Sequence, residues 1–138
     1  MQRVLALDVG DKRIGVAVSD PLGITAQGVE TFERTGSRNQ DVSHILQLAE
    51  RYAPCRLLFG LPRNMDGSYG EQAEKVRSFA EAVLEQFEGE HCFYDERLST
   101  MAARRVLLEA DVSRKKRKGV IDKMAAVVIL QGYLDGQR

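Results

Sequence analysis

The sequence has only two cysteines, Cys55 and Cys92. They form no close pair and no metal-ligand spacing, so neither a disulfide framework nor a zinc site is expected. No window approaches the ~20 continuous apolar residues that cross a bilayer, so no membrane span is expected. The opening segment, MQRVLALDVG, runs straight into a strand-like pattern and lacks signal-peptide architecture. The cytoplasm is therefore the expected location. Repeats, low-complexity stretches and interdomain linkers are absent. So are a Walker A loop and a G-x-S-x-G elbow. Net charge is absent as well, with 20 Lys+Arg against 20 Asp+Glu. The overall balance thus gives no pointer to nucleic acid.

What is present is an ordinary globular composition, 43% hydrophobic and 29% charged, which argues against disorder. A chain of 138 residues implies one domain spanning residues 1–138. It is too short for a typical two-domain kinase, a dehydrogenase or a TIM barrel. The zero net charge hides an asymmetry. Asp66 to Glu96 holds nine acids and two bases, whereas Arg97 to Lys123 holds nine bases and three acids. The C-terminal third could therefore meet nucleic acid.

Val4 to Val9 is an apolar run, and Ile14, Val16 and Val18 alternate between Arg13 and Asp20. Gly10-Asp11-Lys12 between them has hairpin-turn chemistry. Ile24 to Phe32 is a third, less regular strand after a turn at Pro21 to Gly23. Asp41 to Ala53 then carries apolar residues at helical spacing. Arg56 to Leu61 reads as a buried strand. Ser68 and Glu71 form an S-x-x-E capping box opening a second helix. His91 to Tyr94 is a short strand, and Ser99 can cap a third helix to about Ala110. A basic loop precedes a last helix from Val120 to Leu134. The order βββαβαβαα implies an α/β fold, a mixed five-stranded sheet flanked by helices. Right-handed crossovers make the first, fourth and fifth strands parallel. Sites cluster where such strands end.

Three acids are expected near that edge: Asp8, Glu96 and Asp122. Asp8 follows apolar residues in a strand buried on both faces, where an unpaired acid costs several kcal/mol. Its structural alternative is an Asp bonded to the amides around Gly10. Taken singly, Asp122 is equally a helix cap, and Glu96 equally a partner of Arg97 or Arg13. Asp95 is a further candidate supporting the others. Together they make a carboxylate set without His or Cys, which suits Mg²⁺ or Mn²⁺, as one or two ions. Such ions promote phosphodiester cleavage. Arg114-Lys115-Lys116-Arg117-Lys118, just before Asp122, is either a solvated loop or a phosphate-binding run. Lys12, Arg13, Arg63, Asn64 and Arg97 are further candidate nucleic-acid contacts. His44 and His91 have no evident partners and read as surface or packing residues. The two cysteines read as buried small hydrophobes.

Four ordered motifs carry a resemblance over essentially the whole chain. They are Leu7-Asp8-Val9-Gly10-Asp11-Lys12-Arg13-Ile14-Gly15-Val16-Ala17; Gly60-Leu61-Pro62 with Asn64-Met65-Asp66-Gly67; Asp95-Glu96-Arg97-Leu98-Ser99-Thr100; and Asp122-Lys123-Met124-Ala125-Ala126. Together they resemble the YqgF family, also called RuvX. Its members are ribonuclease H-like proteins described both as Holliday junction resolvases and as pre-16S rRNA nucleases. The resemblance implies a ribonuclease H-like domain with Asp8, Glu96 and Asp122 as metal-binding catalytic acids. It also implies a bacterial cytoplasmic protein acting on the 5′ end of 16S rRNA. The position after Gly10, commonly a small polar residue in the family, is Asp11 here.

The leading expectation is a metal-dependent nuclease, with structured RNA, pre-16S rRNA, as the preferred partner. A DNA-junction resolvase is the alternative, and it favours a homodimer because two strands must be cut. A non-catalytic RNA-binding ribosome-assembly module is an alternative of another class. A sugar-kinase-like phosphotransferase would need a second such domain to enclose nucleotide.

Overall fold

The computed structural model describes residues 2–62, 68–95 and 114–137, with side chains of the last segment described from Lys123 onward. The first hairpin forms as its alternation and turn chemistry require. Strand β1 (Arg3–Val9) pairs antiparallel with β2 (Arg13–Ser19), placing Asp8 opposite Gly15. Strand β3 (Ala26–Glu33) continues the meander, with a bulge where Val16 and Ala17 meet Glu30 and Gly28. Helix α1 (Arg38–Arg51) leads into β4 (Cys55–Leu61), and α2 (Glu71–Leu84) into β5 (His91–Asp95). Both strands run parallel to β1, so the sheet order is β3-β2-β1-β4-β5. The last helix, α3, spans Arg114–Gly136.

Strand alternation sorts the sheet into two cores. Leu5, Leu7, Val9, Leu57 and Phe59 pack with α1 and α2 on one face. Val4, Ala6, Ala17 and Leu58 pack with Ala126, Ile129, Leu130 and Leu134 of α3 on the other. Each large side chain so buried contributes about 1.5–3 kcal/mol of transfer free energy. This explains why β1 is apolar at nearly every position: both of its faces are covered.

Several expectations need correction. The basic run Arg114–Lys118 is not a loop; it makes the opening turns of α3. Helix α1 starts earlier than Asp41, because Ser37 caps it by accepting from the Gln40 amide at 3.4 Å. Helix α2 does not open at Ser68. Gly70 is the N-cap of α2, in extended conformation and without a side-chain cap bond, so Glu71 is the first helical residue. Tyr69 instead lies under the Arg77 guanidinium, 4.5 Å away. The helix expected from Ser99 to Ala110 lies outside the described residues.

Candidate active site at the carboxyl edge of the sheet

Strands β1, β4 and β5 end together at Val9, Leu61 and Asp95, since all three are parallel. The antiparallel neighbours bring the start of β2 and the end of β3 to the same edge. Helix α3 runs from this edge to the opposite one. Its Gln131 amide donates to the Ile24 carbonyl and accepts from the Ala26 N–H, both at 3.0 Å, at the far end of β3. Near the C-terminus of α3, Tyr133 receives an Arg56 Nη1–H bond at 2.7 Å from the start of β4. Lys123 crosses β3 over Gly28, where an added Cβ would stand 3.0 Å from its Cδ. Position 122 is thus one turn before Ala126, on the carboxyl-edge side of the residues that α3 packs against the sheet.

Asp8 lies on the α3 face of β1, in alternation with Val4 and Ala6, and is half-buried. Its cross-strand partner is Gly15, so β2 sets no side chain opposite the carboxylate. The turn after Asp8 is built tightly. Gly10 N–H donates to the Arg13 carbonyl at 2.8 Å, and a Cβ on Gly10 would stand 2.8 Å from that oxygen. Only glycine fits there without moving backbone.

Four groups hold this turn from outside. Arg34 N–H donates to the Lys12 carbonyl at 2.9 Å, and Arg34 Nη1–H to the Gly10 carbonyl at 3.0 Å. From α2, Gln72 Nε2–H reaches the Val9 carbonyl at 3.4 Å, and Lys75 Nζ stands 3.3 Å from Asp11. Arg34 is itself fixed by Asp41, Nε to Oδ2 at 2.9 Å, and Asp41 is only 1% exposed. Burial alone would raise the Asp41 carboxyl. The Thr35 amide, the Arg34 guanidinium and the Thr35 hydroxyl outweigh it and hold the group below the ordinary carboxylate value.

Beside the turn is an open cavity of about 540 Å³ lined by Lys12, Arg13, Arg34 and Arg38 with Asp11 and Glu33. Arg13 lies 3.9 Å from Glu33, and the Lys12 side chain is exposed. Two of the predicted phosphate contacts thus line one concave surface at the expected edge. Arg63, Asn64, Glu96 and Arg97 lie outside the described residues. Asp122, Arg114, Lys115, Lys116, Arg117 and Lys118 are placed by backbone only. Asp95 ends β5, exposed and in register with Leu61. Among the described residues no three His, Cys, Asp or Glu side chains group together; two of the three predicted ligand side chains are not in that set.

Sequence reasoning missed Arg34, Asp41 and Arg38. The pair Arg34–Asp41 looks like a polar loop followed by a first-turn acid, and only its burial distinguishes it. His44 also has partners: it stacks on Phe32 with ring centroids 3.9 Å apart, and its Nε2 is 3.2 Å from Glu30. Cys55 is buried as expected, whereas Cys92 is only half-buried. Burial pushes both thiols above the ordinary value.

A family model described as RuvX, Holliday junction resolvase, matches residues 2–136. A protein of Desulforamulus reducens is 55% identical over 133 residues, covering 96% of each chain. One of Halalkalibacterium halodurans is 54% identical over 137 residues, covering 99% of this chain and 98% of the other. Both carry the name "Putative pre-16S rRNA nuclease". Among solved structures, Thermus thermophilus RuvC in complex with a Holliday junction substrate aligns with a TM-score of 0.63. It covers 99% of this chain and 96% of RuvC at 16% identity, so the two share a ribonuclease H-like fold. The chain belongs to the RuvX family.

Proposed function

We propose that the chain is a divalent-metal-dependent nuclease that cleaves phosphodiester bonds in processing the 5′ end of pre-16S rRNA. The observation that carries this reading is Asp8 itself: a half-buried acid on the central strand, at the carboxyl edge, on the face nearest the start of α3. The names of relatives more than half identical to it support pre-16S rRNA as the substrate. In this reading residues 1–138 form one nuclease domain, and the protein works in the cytoplasm.

Asp8, Glu96 and Asp122 would hold one or two Mg²⁺ or Mn²⁺ ions, with Asp95 supporting them. The donor chemistry fits. Cys55 starts β4 at the opposite edge, His44 is engaged with Phe32 and Glu30, and Asp8 offers carboxylate oxygen. Hard oxygen donors suit these ions rather than zinc. A bound ion of this class stabilises charge developing on phosphate oxygens. The chain's own residues do the rest. Lys12 and Arg13 neutralise backbone phosphates beside the turn, joined by Arg63, Arg97 and the Arg114–Lys118 run, and the Asn64 amide donates to the same backbone. Glu96 or Asp8 accepts the proton of the attacking water.

A second reading, a DNA-junction resolvase acting as a homodimer, is favoured by the RuvX description and by the RuvC complex with a Holliday junction. Incubation with precursor rRNA and with a four-way DNA junction, each with Mg²⁺, Mn²⁺ or chelator, separates the readings. Metal-dependent cleavage of the RNA supports the first. Cleavage of the junction alone overturns it in favour of the second. Binding without cleavage of either makes the chain a non-catalytic RNA-binding module.

A further inference from the structure

Arg34 touches the turn after Asp8 at both ends. Its backbone N–H meets the Lys12 carbonyl at 2.9 Å and its Nη1–H the Gly10 carbonyl at 3.0 Å. Gly10 is two residues beyond Asp8. The guanidinium has no freedom of its own. Its Nε–H is bonded to Asp41 Oδ2 at 2.9 Å, and its carbon stands 4.9 Å from the centre of the Phe79 ring. Asp41 is 1% exposed, and its other oxygen accepts from both the Thr35 amide and the Thr35 hydroxyl at 3.0 Å. One side chain therefore ties β3, α1 and α2 to the β1–β2 turn.

Stability alone does not account for this device. A buried ion pair is commonly no more stabilising than apolar residues of the same volume. What apolar residues cannot do is donate to the Gly10 carbonyl. Lysine serves both acceptors poorly, because its three donors share one nitrogen that falls a bond short of the Arg34 Nη1 position. The planar fork of arginine serves a carboxylate with one nitrogen and a carbonyl with another.

We propose that Arg34, locked by Asp41, is a positioning residue: it fixes the Gly10–Lys12 turn and thereby sets the Asp8 carboxylate for cation binding. This rests on the reading of Asp8 as a metal ligand. Residues that orient a metal ligand without touching the metal are worth about 10–100-fold in affinity. Arg34 acts through the backbone, so the low end applies.

The test uses the full chain, wild type and three variants, with Mn²⁺ titrated calorimetrically and the Gly10 amide followed by hydrogen exchange. Arg34→Lys keeps the charge against Asp41 but gives up the bond to Gly10. It should fold, bind Mn²⁺ about tenfold more weakly, and exchange the Gly10 amide about tenfold faster. On cleaved substrate, the kcat lost at low Mn²⁺ should return at saturating Mn²⁺ with the folded fraction equal to that of wild type throughout, a rescue that mere loss of folded protein would not show. Arg34→Lys that folds and matches wild type in both Mn²⁺ affinity and Gly10 exchange overturns the proposal. Should Arg34→Lys fail to fold, Asp41→Asn keeps the shape of the pair and takes its place. It must show the same two losses, smaller in size, and unchanged values overturn the proposal equally. Asp8→Asn is the control on the underlying reading. If Asp8→Asn binds Mn²⁺ as wild type does, the metal-site reading fails, whatever Arg34→Lys does.

Discussion

The hydroxyl of Tyr94 on β5 stands 2.7 Å from where a Cβ of Gly132 on α3 would be. The glycine therefore leaves room for the Tyr94 ring against the last helix, and is not a flexible point in the helix. In an exposed helix interior, Gly→Ala adds up to about 1 kcal/mol of stability. Here the added methyl meets a rigid ring that itself packs edge-on to Tyr133, centroids 6.5 Å apart. Gly132→Ala should destabilise by about 1–3 kcal/mol, as overpacking does. Tyr94→Phe in the same chain should recover part of the loss. Urea denaturation of the two single variants and the double variant checks this. Additive effects would mean the ring and the methyl do not meet.

Gly10→Ala should be more damaging to the site than to the core. Its Cβ would meet a backbone oxygen, Arg13 O at 2.8 Å, which cannot swing aside as a side chain can. A loss of about 1–3 kcal/mol is expected, with the turn beside Asp8 displaced. Equilibrium unfolding gives the energy, and amide shifts confined to residues 8–15 would show the location.

Acid should weaken the fold partly through Asp41. Its folded-state carboxyl titrates below the ordinary 3.8, so its contribution is fully present above that pH and lost as pH falls through the lowered value. Asp41→Asn should cost about 1.5–3 kcal/mol near neutrality, the worth of hydrogen bonds to a charged group. The gap from wild type should narrow below pH 3.8. Asp20 gives a background effect in the same direction, held low by the Thr25 and Ile24 amides, and that part survives in the variant. Stability measured at several pH values for both chains decides it. A gap that stays constant to low pH would mean that Asp41 is not charged in the fold.

The basic run should trade stability for binding. Arg114–Lys118 opens α3, where the helix dipole repels cations by about 0.3–1 kcal/mol each. Lys115→Ala with Lys116→Ala should therefore raise the melting temperature slightly. Affinity for many nucleic-acid sequences should fall by similar factors, since phosphate contacts carry no sequence information. Each lost contact should lower the log–log salt slope by about 0.7 on single strands or 0.9 on duplex. Unchanged affinity and slope would leave the run as a solvated helix end, and the binding surface would then centre on Lys12 and Arg13.

Most of the fold was legible because its signals are local. Alternation around Gly10-Asp11-Lys12 located the hairpin, and the crossover rule set β1, β4 and β5 parallel. The failures share a physical cause, namely competition from contacts that a sequence window does not contain. Strand β3 starts at Ala26 and not Ile24, because Asp20 Oδ1 takes the Ile24 and Thr25 amides into the turn at 2.7 and 3.1 Å. Five consecutive cations read as a solvated loop, yet they sit on a helix anchored further along by Ala126, Ile129 and Leu130. At the site, Asp8 stood out as an acid in a buried strand. The bracing by Arg34 and Asp41 did not, because a loop residue and a first-turn acid become a buried pair only when Phe79 of α2 arrives beside them.

The central claim is that Asp8 holds the catalytic metal, and Asp8→Asn tests it most directly. The substitution keeps the size and hydrogen bonding of the side chain and removes its charge. A ligand should matter more than the groups that orient it, so metal-dependent cleavage of precursor rRNA should fall by more than about 100-fold. Fold and much of the RNA binding should persist. Metal-free stability should hold or rise, because a crowded carboxylate set repels itself without a cation. Cleavage rates for wild type and Asp8→Asn, measured side by side across a Mg²⁺ titration, are the decisive measurement. A variant that cuts at the wild-type rate with the same Mg²⁺ dependence would contradict the account.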